Sequence, residues 1–76
     1  MVELLTSIVK AIVDNPEAVQ VKEVQGEKAV ILELKVSADD VGKVIGREGR
    51  IINALRTVIK AAAGKENKRV TIELLS

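Results

Sequence analysis

The chain of 76 residues contains no cysteine and no histidine. Without cysteine it can form neither a disulfide nor a thiolate metal site, and nothing supports an extracellular life. Without histidine it lacks the commonest general base and the commonest metal ligand. The adjacent carboxylates Asp39 and Asp40 suit the first turn of a helix, near the positive end of its dipole, better than a metal pair. The composition therefore predicts no metal, no cofactor and no enzymatic activity.

Aromatic residues and long apolar runs are also absent. Nucleic-acid-binding domains that stack bases on Phe, Tyr or Trp are therefore disfavoured. No apolar run approaches the roughly 20 residues of a membrane span. The N-terminal segment carries Glu3 early and has no basic region, which is unlike a signal peptide. We expect a cytoplasmic protein that does not contact membrane, and the length leaves room for one domain, over residues 1–76.

Hydrophobic periodicity predicts three helices and three strands. The predicted elements are a helix over residues 2–14, strands near 19–24 and 30–36, a short helix from Ser37 to Gly46, a helix over 50–63 and a strand over 69–74. Asn15-Pro16 ends the first helix, because the residue before proline avoids the helical region. The turn at residues 25–28 predicts an antiparallel hairpin, and residues 65–68 are a predicted polar loop.

The helix after residue 50 has a predicted buried stripe and a polar side. The stripe consists of Ile51, Ile52, Leu55, Val58, Ile59 and Ala62. Arg56 and Lys60 fall on the other side, where a solvated helix face is the simpler interpretation. Gly64 follows at a position that suits a helix end, and Ser37 and the two Asp residues suit the start of the short helix.

The order α-β-β-α-α-β predicts an α+β fold. A helix pair joins the second strand to the last, which permits a parallel crossover between neighbouring strands. We therefore expect a three-stranded mixed sheet with three helices packed on one face and a more polar opposite face.

The segment Gly46-Arg47-Glu48-Gly49 is the most informative part of the sequence. Glycine tolerates positive φ and lets backbone approach a ligand closely. The helix that begins near Arg50 directs its positive dipole end at this loop. Residues 1–40 carry four basic and eight acidic residues, whereas residues 41–69 carry eight basic and two acidic ones. A polyanion would meet this local positive charge rather than the net charge of +1.

The chain resembles a KH domain in its order of a helix, a characteristic segment, a second helix and a strand. That segment is Val44-Ile45-Gly46-Arg47-Glu48-Gly49-Arg50-Ile51-Ile52. The additional N-terminal helix and strand resemble the bacterial, type II arrangement. The likeness covers nearly the whole chain and is closest to the small bacterial single-KH-domain RNA-binding proteins of the KhpA type. The resemblance also rests on the phrases Val41-Gly42-Lys43-Val44-Ile45-Gly46 and Arg56-Thr57-Val58-Ile59-Lys60-Ala61-Ala62-Ala63.

The resemblance implies a non-catalytic protein that binds about four single-stranded RNA nucleotides, with the G-x-x-G loop against the backbone. The implied RNA-binding residues are Lys43, Val44, Ile45, Gly46, Arg47, Glu48, Gly49 and Arg50, with Val41, Gly42 and Asn53 as peripheral contacts. Arg47 is the expected phosphate contact, and Val41, Val44, Ile45 and Ile52 are candidates for the floor of the base-binding groove. Glu48 departs from the basic or neutral residue of many KH loops. The implied role is that of an RNA chaperone or post-transcriptional regulator.

Several alternatives stay open at this stage. The two loop glycines also fit a plain helix–helix turn. Gly42 serves either close packing or close approach of a ligand. The competing function is a protein-interaction module on a KH scaffold that binds RNA only with a partner, because exposed sheet edges invite pairing. The resemblance implies a second KH-containing RNA-binding protein as partner. A homodimer, the RNA target and the choice between RNA and single-stranded DNA are left open.

Overall fold

The computed structural model describes residues 1–64 and 69–75. Within these ranges the elements are α1 (Val2–Ile12), β1 (Gln20–Gln25), β2 (Ala29–Lys35), α2 (Val41–Ile45), α3 (Arg50–Ala62) and β3 (Arg69–Leu75), with 3₁₀ turns at Pro16–Ala18, Ala38–Asp40 and Arg47–Gly49. The predicted order of helices and strands is confirmed. The polar loop predicted at residues 65–68 lies outside the described residues.

The strands form one mixed sheet with β2 in the middle. β1 and β2 are antiparallel, with Val21 opposite Leu34, as the predicted hairpin requires. β3 lies parallel to β2 on the other side, with Leu32 opposite Ile72. The helix pair α2–α3 makes the crossover between these two parallel strands. β1 and β3 are therefore the two edge strands.

One face of the sheet carries the core. The residues Val30, Leu32, Leu34, Val70 and Ile72 alternate along β2 and β3 and are all buried. They pack with Leu5, Val9, Val44, Leu55 and Ile59 from the three helices. The opposite face is more polar, because Lys22, Glu33 and Glu73 lie side by side in the register. The predicted packing of three helices on one face is confirmed. No helix in the described part of the chain is long and apolar enough to cross a bilayer.

α1 ends two residues earlier than predicted, and a distant carboxylate explains the difference. Val13 has extended φ and ψ angles of −87° and 160°. The next two N–H groups, of Asp14 and Asn15, donate to the side chain of Asp40 at 3.1 and 3.0 Å. These donors are therefore taken by another part of the chain rather than by helix carbonyls.

The start of the second helical segment also differs from the prediction. Ser37 makes no side-chain capping hydrogen bond, and only its backbone carbonyl accepts, from the N–H of Asp40 at 2.9 Å. Asp39 is exposed, as a first-turn residue would be, but Asp40 is fully buried. Its carboxylate therefore binds backbone N–H groups of another segment instead of facing solvent near a helix end.

The buried stripe of α3 is narrower than predicted. Ile52, Leu55 and Ile59 are buried, and Ala63 continues their line just beyond the helix. Val58 is 44% exposed and Ala62 is exposed, so neither belongs to the core. Ile51 is half-buried and packs at the border of the core, so the buried face of α3 is one line of residues with Ile51 beside it.

Candidate nucleic-acid interface

The turn between α2 and α3 has a backbone that glycine makes possible. Gly46 ends α2 with φ 76° and ψ 174°, a region populated essentially by glycine alone. Glu48 and Gly49 follow in the left-handed region, with φ values of 57° and 75°. The N–H of Gly49 donates to the carbonyl of Gly46 at 3.2 Å and closes the turn. α3 begins directly afterwards at Arg50.

The two glycines are required for different reasons. A Cβ atom at Gly46 would lie 2.6 Å from Cγ1 of Ile51 and 2.9 Å from its Cβ, which is closer than real contacts allow. At Gly49 the nearest atom would be the Asn53 amide nitrogen at 3.6 Å, which is an ordinary contact. Gly46 is therefore held by packing and backbone angle together, and Gly49 by backbone angle alone.

The loop exposes its two arginine side chains, and two of its backbone N–H groups have no acceptor among the described residues. The carbonyls of Gly46 and Arg47 accept hydrogen bonds from the N–H groups of Gly49 and Arg50. No acceptor within residues 1–64 or 69–75 takes the backbone N–H groups of Arg47 and Glu48. The Arg47 side chain is exposed. Arg50 lies 3.8 Å from Glu48 across the turn, with both side chains about three-quarters exposed, 78% and 75%. The loop therefore offers N–H donors and positive charge, partly balanced by one carboxylate.

Lys43 points away from this loop. Its Nζ pairs with the carboxylate of Asp14 and lies 3.9 Å from Oδ1 of Asp40. Lys43 thus joins α2 to the end of α1. The sequence placed it beside the loop, and the structure pairs it with Asp14, which lies 29 residues earlier in the chain, as well as with Asp40, three residues before it.

A groove of about 490 Å³ runs between the helix pair and the free edge of β3. The residues that line it are Val41, Ile45, Ile52, Arg56, Ile72, Glu73 and Leu74. Three of the four residues predicted for the apolar floor are therefore present. Val44 is the exception, because it is fully buried and packs in the core beneath α2. The volume of the groove lies in the range of about 300–1,000 Å³ that is typical of small-ligand sites.

Four of the lining residues, Arg56, Ile72, Glu73 and Leu74, were not among the predicted site residues, and Arg56 is the cation among them. It is half-buried rather than part of a solvated face. Its Nη2 donates to the backbone carbonyl of Ile72 at 3.2 Å, and its Nη1 donates to Oδ1 of Asn53 at 3.4 Å. The spacing of four residues from Ile52 was the available signal, since residues at i and i+4 lie on the same side of a helix.

Gly42 and Asn53 have clearer positions than the sequence allowed. A Cβ atom on Gly42 would meet no other atom within 4 Å, so close packing does not explain this glycine. Asn53 is exposed one turn into α3 and holds the Arg56 guanidinium through its side-chain oxygen. Among the described residues, no group of three His, Cys, Asp or Glu side chains could hold a metal ion.

A tight glycine turn between two helices, beside an apolar groove at the free edge of a three-stranded α+β sheet, defines a KH domain. Comparison with known proteins agrees with this class. A family model described as "KhpA/KhpB, KH domain" matches residues 2–74. The chain therefore belongs to the KhpA/KhpB KH-domain family.

Several bacterial relatives are similar over almost their whole length. The protein of Clostridium acetobutylicum named RNA-binding protein KhpA is 61% identical over 75 residues, which cover 99% of this chain and 100% of the relative. The protein of that name from Caldanaerobacter subterraneus is 56% identical with the same coverage. The one from Borreliella burgdorferi is 51% identical over 74 residues, covering 97% of this chain and 90% of the relative.

Proposed function

We propose that this chain is a non-catalytic module, one KH domain over residues 1–76, that binds single-stranded RNA. The observation that carries the proposal is the turn at Gly46–Gly49, where free backbone N–H groups and exposed Arg47 lie next to an apolar groove. The names of its relatives support RNA as the ligand.

The loop and the groove suit different parts of a nucleotide. Phosphates are bound by backbone N–H groups and by arginine, and they stay solvated. Arg47 and Arg50 are exposed and so can reach phosphates without leaving water. Unstacked bases need an apolar surface, which Ile45 and Ile52 provide in the groove. The loop therefore holds the backbone, and the groove takes the bases.

The expected binding is mostly electrostatic and sensitive to salt. Fluorescence anisotropy of a short unstructured RNA, measured across a salt series, tests it with Arg47→Asp. The matched control is Lys22→Asp, the same charge change at an exposed residue of β1 on the polar face of the sheet. We expect Arg47→Asp to abolish binding and Lys22→Asp to leave most of it. Equal binding by both variants would place the RNA elsewhere, and binding that ignores salt would contradict the electrostatic mechanism.

A protein-interaction role is the second candidate. It is supported by the free edges of β1 and β3 and by Val58, which is 44% exposed on α3. The family description joins KhpA with KhpB, which supports a second KH-containing protein as partner. A homodimer is the other arrangement that such a surface allows. Light scattering after size-exclusion chromatography, with Val58→Ser as the variant, tests self-association. A monomer at all concentrations that binds RNA alone would make the interaction role secondary.

The proposed cellular role is that of a cytoplasmic RNA chaperone or post-transcriptional regulator. A strand-annealing assay with two complementary RNAs tests the chaperone part. Acceleration by the protein, lost in Arg47→Asp, is the expected result. The same anisotropy assay with DNA of equal sequence separates RNA from single-stranded DNA binding.

A further inference from the structure

Helix α2 is too short to hold itself in place. It has five residues, Val41–Ile45, whereas an isolated helix needs about 12–15 residues to be even marginally stable in water. Its last residue, Ile45, lines the groove, and Gly46 follows as the first residue of the glycine turn. The positions of Ile45 and of the turn therefore depend on the contacts that hold α2 against the rest of the fold.

Two kinds of contact hold α2. Val44 is fully buried and anchors the helix to the core through apolar packing. At the start of α2, the fully buried carboxylate of Asp40 accepts the backbone N–H groups of Asp14 and Asn15, one on each oxygen, at 3.1 and 3.0 Å. Apolar packing is non-directional, whereas hydrogen bonds to a charged acceptor are directional and roughly twice as strong as those between neutral groups. The contact at Asp40 therefore fixes the orientation of α2.

The charge of this carboxylate matters as well as its shape. The ammonium group of Lys43, three residues further along, lies 3.9 Å from Oδ1 of Asp40 and also pairs with the carboxylate of Asp14. A buried charge that loses part of its pairing is costly, so α2 stays where all these contacts are made. The end of α1 and the start of α2 are thus joined into one unit.

This junction lies apart from the surface that we propose for RNA. The lining of the groove includes neither Asp14, Asn15 nor Asp40, and Asp40 is fully buried and inaccessible to a ligand. The six residues from Asp40 to Gly46 correspond to about 9 Å along the axis of a helix. Any effect of Asp40 on RNA binding must therefore act through the position of α2.

We propose that Asp40 is a positioning residue of the RNA site. Its carboxylate holds the start of α2 against the end of α1 and so places Ile45 and the glycine turn for RNA. RNA binding and closure of the junction are then coupled, and this coupling acts in both directions. Bound RNA stabilises the hydrogen bonds to Asp40, and loss of the carboxylate weakens RNA binding. This inference rests on the proposed RNA-binding function and deepens it.

Asp40→Asn is the main variant, because asparagine keeps the shape of the side chain and replaces one acceptor oxygen by an NH₂ donor. The matched control is Asp39→Asn, the same change at the exposed neighbour. Removal of a negative charge by itself favours a polyanion, so a general electrostatic effect raises the affinity of both variants. Positioning predicts the opposite sign for Asp40→Asn alone. We expect its affinity for a short unstructured RNA to fall about 5-fold or more, the lower end of typical coupling between two sites.

A second control separates positioning from a general loss of stability. Val30 is buried in the central strand β2 and does not line the groove. Val30→Ala lowers the stability of the core without touching the junction. All affinities are measured by fluorescence anisotropy, at a temperature at which thermal melts show each variant to be folded. Under these conditions Val30→Ala should keep the affinity of the wild type.

Hydrogen exchange of the wild type tests the other direction of the coupling and needs no variant. Saturating RNA should slow the exchange of the Asp14 and Asn15 amides about 5-fold or more. The N–H of Gly26, which donates to the carbonyl of Ala29 at 2.7 Å in the hairpin, is the reference for global stabilisation. We expect RNA to slow the two junction amides more than the Gly26 amide.

Other results contradict the proposal. If Asp40→Asn binds RNA as tightly as Asp39→Asn or Val30→Ala does, the carboxylate has a structural role only. Equal slowing of exchange at Asn15 and Gly26, or no slowing at Asn15, overturns the proposal even where Asp40→Asn does not fold. In each of these cases, salt-dependent binding by the wild type leaves the RNA-binding proposal intact. If the wild type binds no RNA, both proposals are wrong.

Discussion

Asn15 donates its backbone N–H to the carboxylate of Asp40 over 3.0 Å, and this contact joins the end of α1 to the start of α2. Asp14 donates to the second oxygen of the same carboxylate at 3.1 Å. Asp40 is fully buried, and in the described part of the chain every buried side-chain polar atom has a partner. The carboxylate therefore positions the short helix that leads into the glycine turn.

Replacement of Asp40 should destabilise the fold strongly. Asp40→Ala leaves two part-buried N–H groups without an acceptor, and each such loss costs about 1–3 kcal/mol. We expect the free energy of unfolding to fall by roughly 2–5 kcal/mol, measured by urea denaturation with an unchanged m-value. Asp39→Ala is the control, since Asp39 is exposed, and it should stay within about 0.5 kcal/mol of the wild type. Equal effects at both positions would mean that the buried carboxylate contributes little.

The two glycines of the turn should respond differently to alanine. At Gly46 an added Cβ would lie 2.6 Å from the Ile51 side chain, in a backbone region that alanine rarely adopts. At Gly49 only the left-handed backbone is unfavourable, which costs roughly 1–2 kcal/mol. We therefore expect Gly46→Ala to lower the melting temperature clearly more than Gly49→Ala does. A smaller effect at Gly46 would contradict the close packing against Ile51.

Removal of the charge on Glu48 should strengthen RNA binding. Its carboxylate lies 3.8 Å from Arg50 and competes with phosphate for that side chain. Glu48→Gln should raise the affinity at low salt, and the slope of log affinity against log salt should steepen by up to about 0.7, the value for one further phosphate contact on a single strand. Stability should change by less than about 1 kcal/mol, because exposed ion pairs contribute little. Weaker binding by this variant would indicate that Glu48 itself contacts the RNA.

Release of Lys43 tests whether it belongs to the RNA-binding residues. Its ammonium group pairs with Asp14 and lies 3.9 Å from the buried carboxylate of Asp40, so Asp14→Asn should loosen its attachment and raise RNA affinity modestly. The same substitution in a Lys43→Gln background should then have no effect. This double-mutant cycle separates the action of Lys43 from a general loss of negative charge. An equal gain in both backgrounds would mean that Lys43 makes no RNA contact.

Local rules in the sequence were enough to predict the elements and the turn. The alternation of Val30, Leu32 and Leu34 identified the central strand, and its buried face is as predicted. Gly46 and Gly49 predicted a backbone that other residues avoid, and both have positive φ. These features depend on neighbouring residues only, so a single sequence contains the information.

Contacts between distant segments were decided by the tertiary structure. The backbone N–H of Asp14 donates to the carboxylate of Asp40, 26 residues away in sequence. The ammonium group of Lys43 pairs with the carboxylate of Asp14 across 29 residues. Arg56 reaches the Ile72 carbonyl across 16 residues and so lies in the groove rather than on a solvated face. Spacing within one helix cannot show which element packs beside it. By itself the sequence therefore determined the strands, the helices and the turn, through backbone preference and periodicity. Only the packing of α1 against α2 and of α3 against β3 decided which charges are paired, which is buried and which faces the groove.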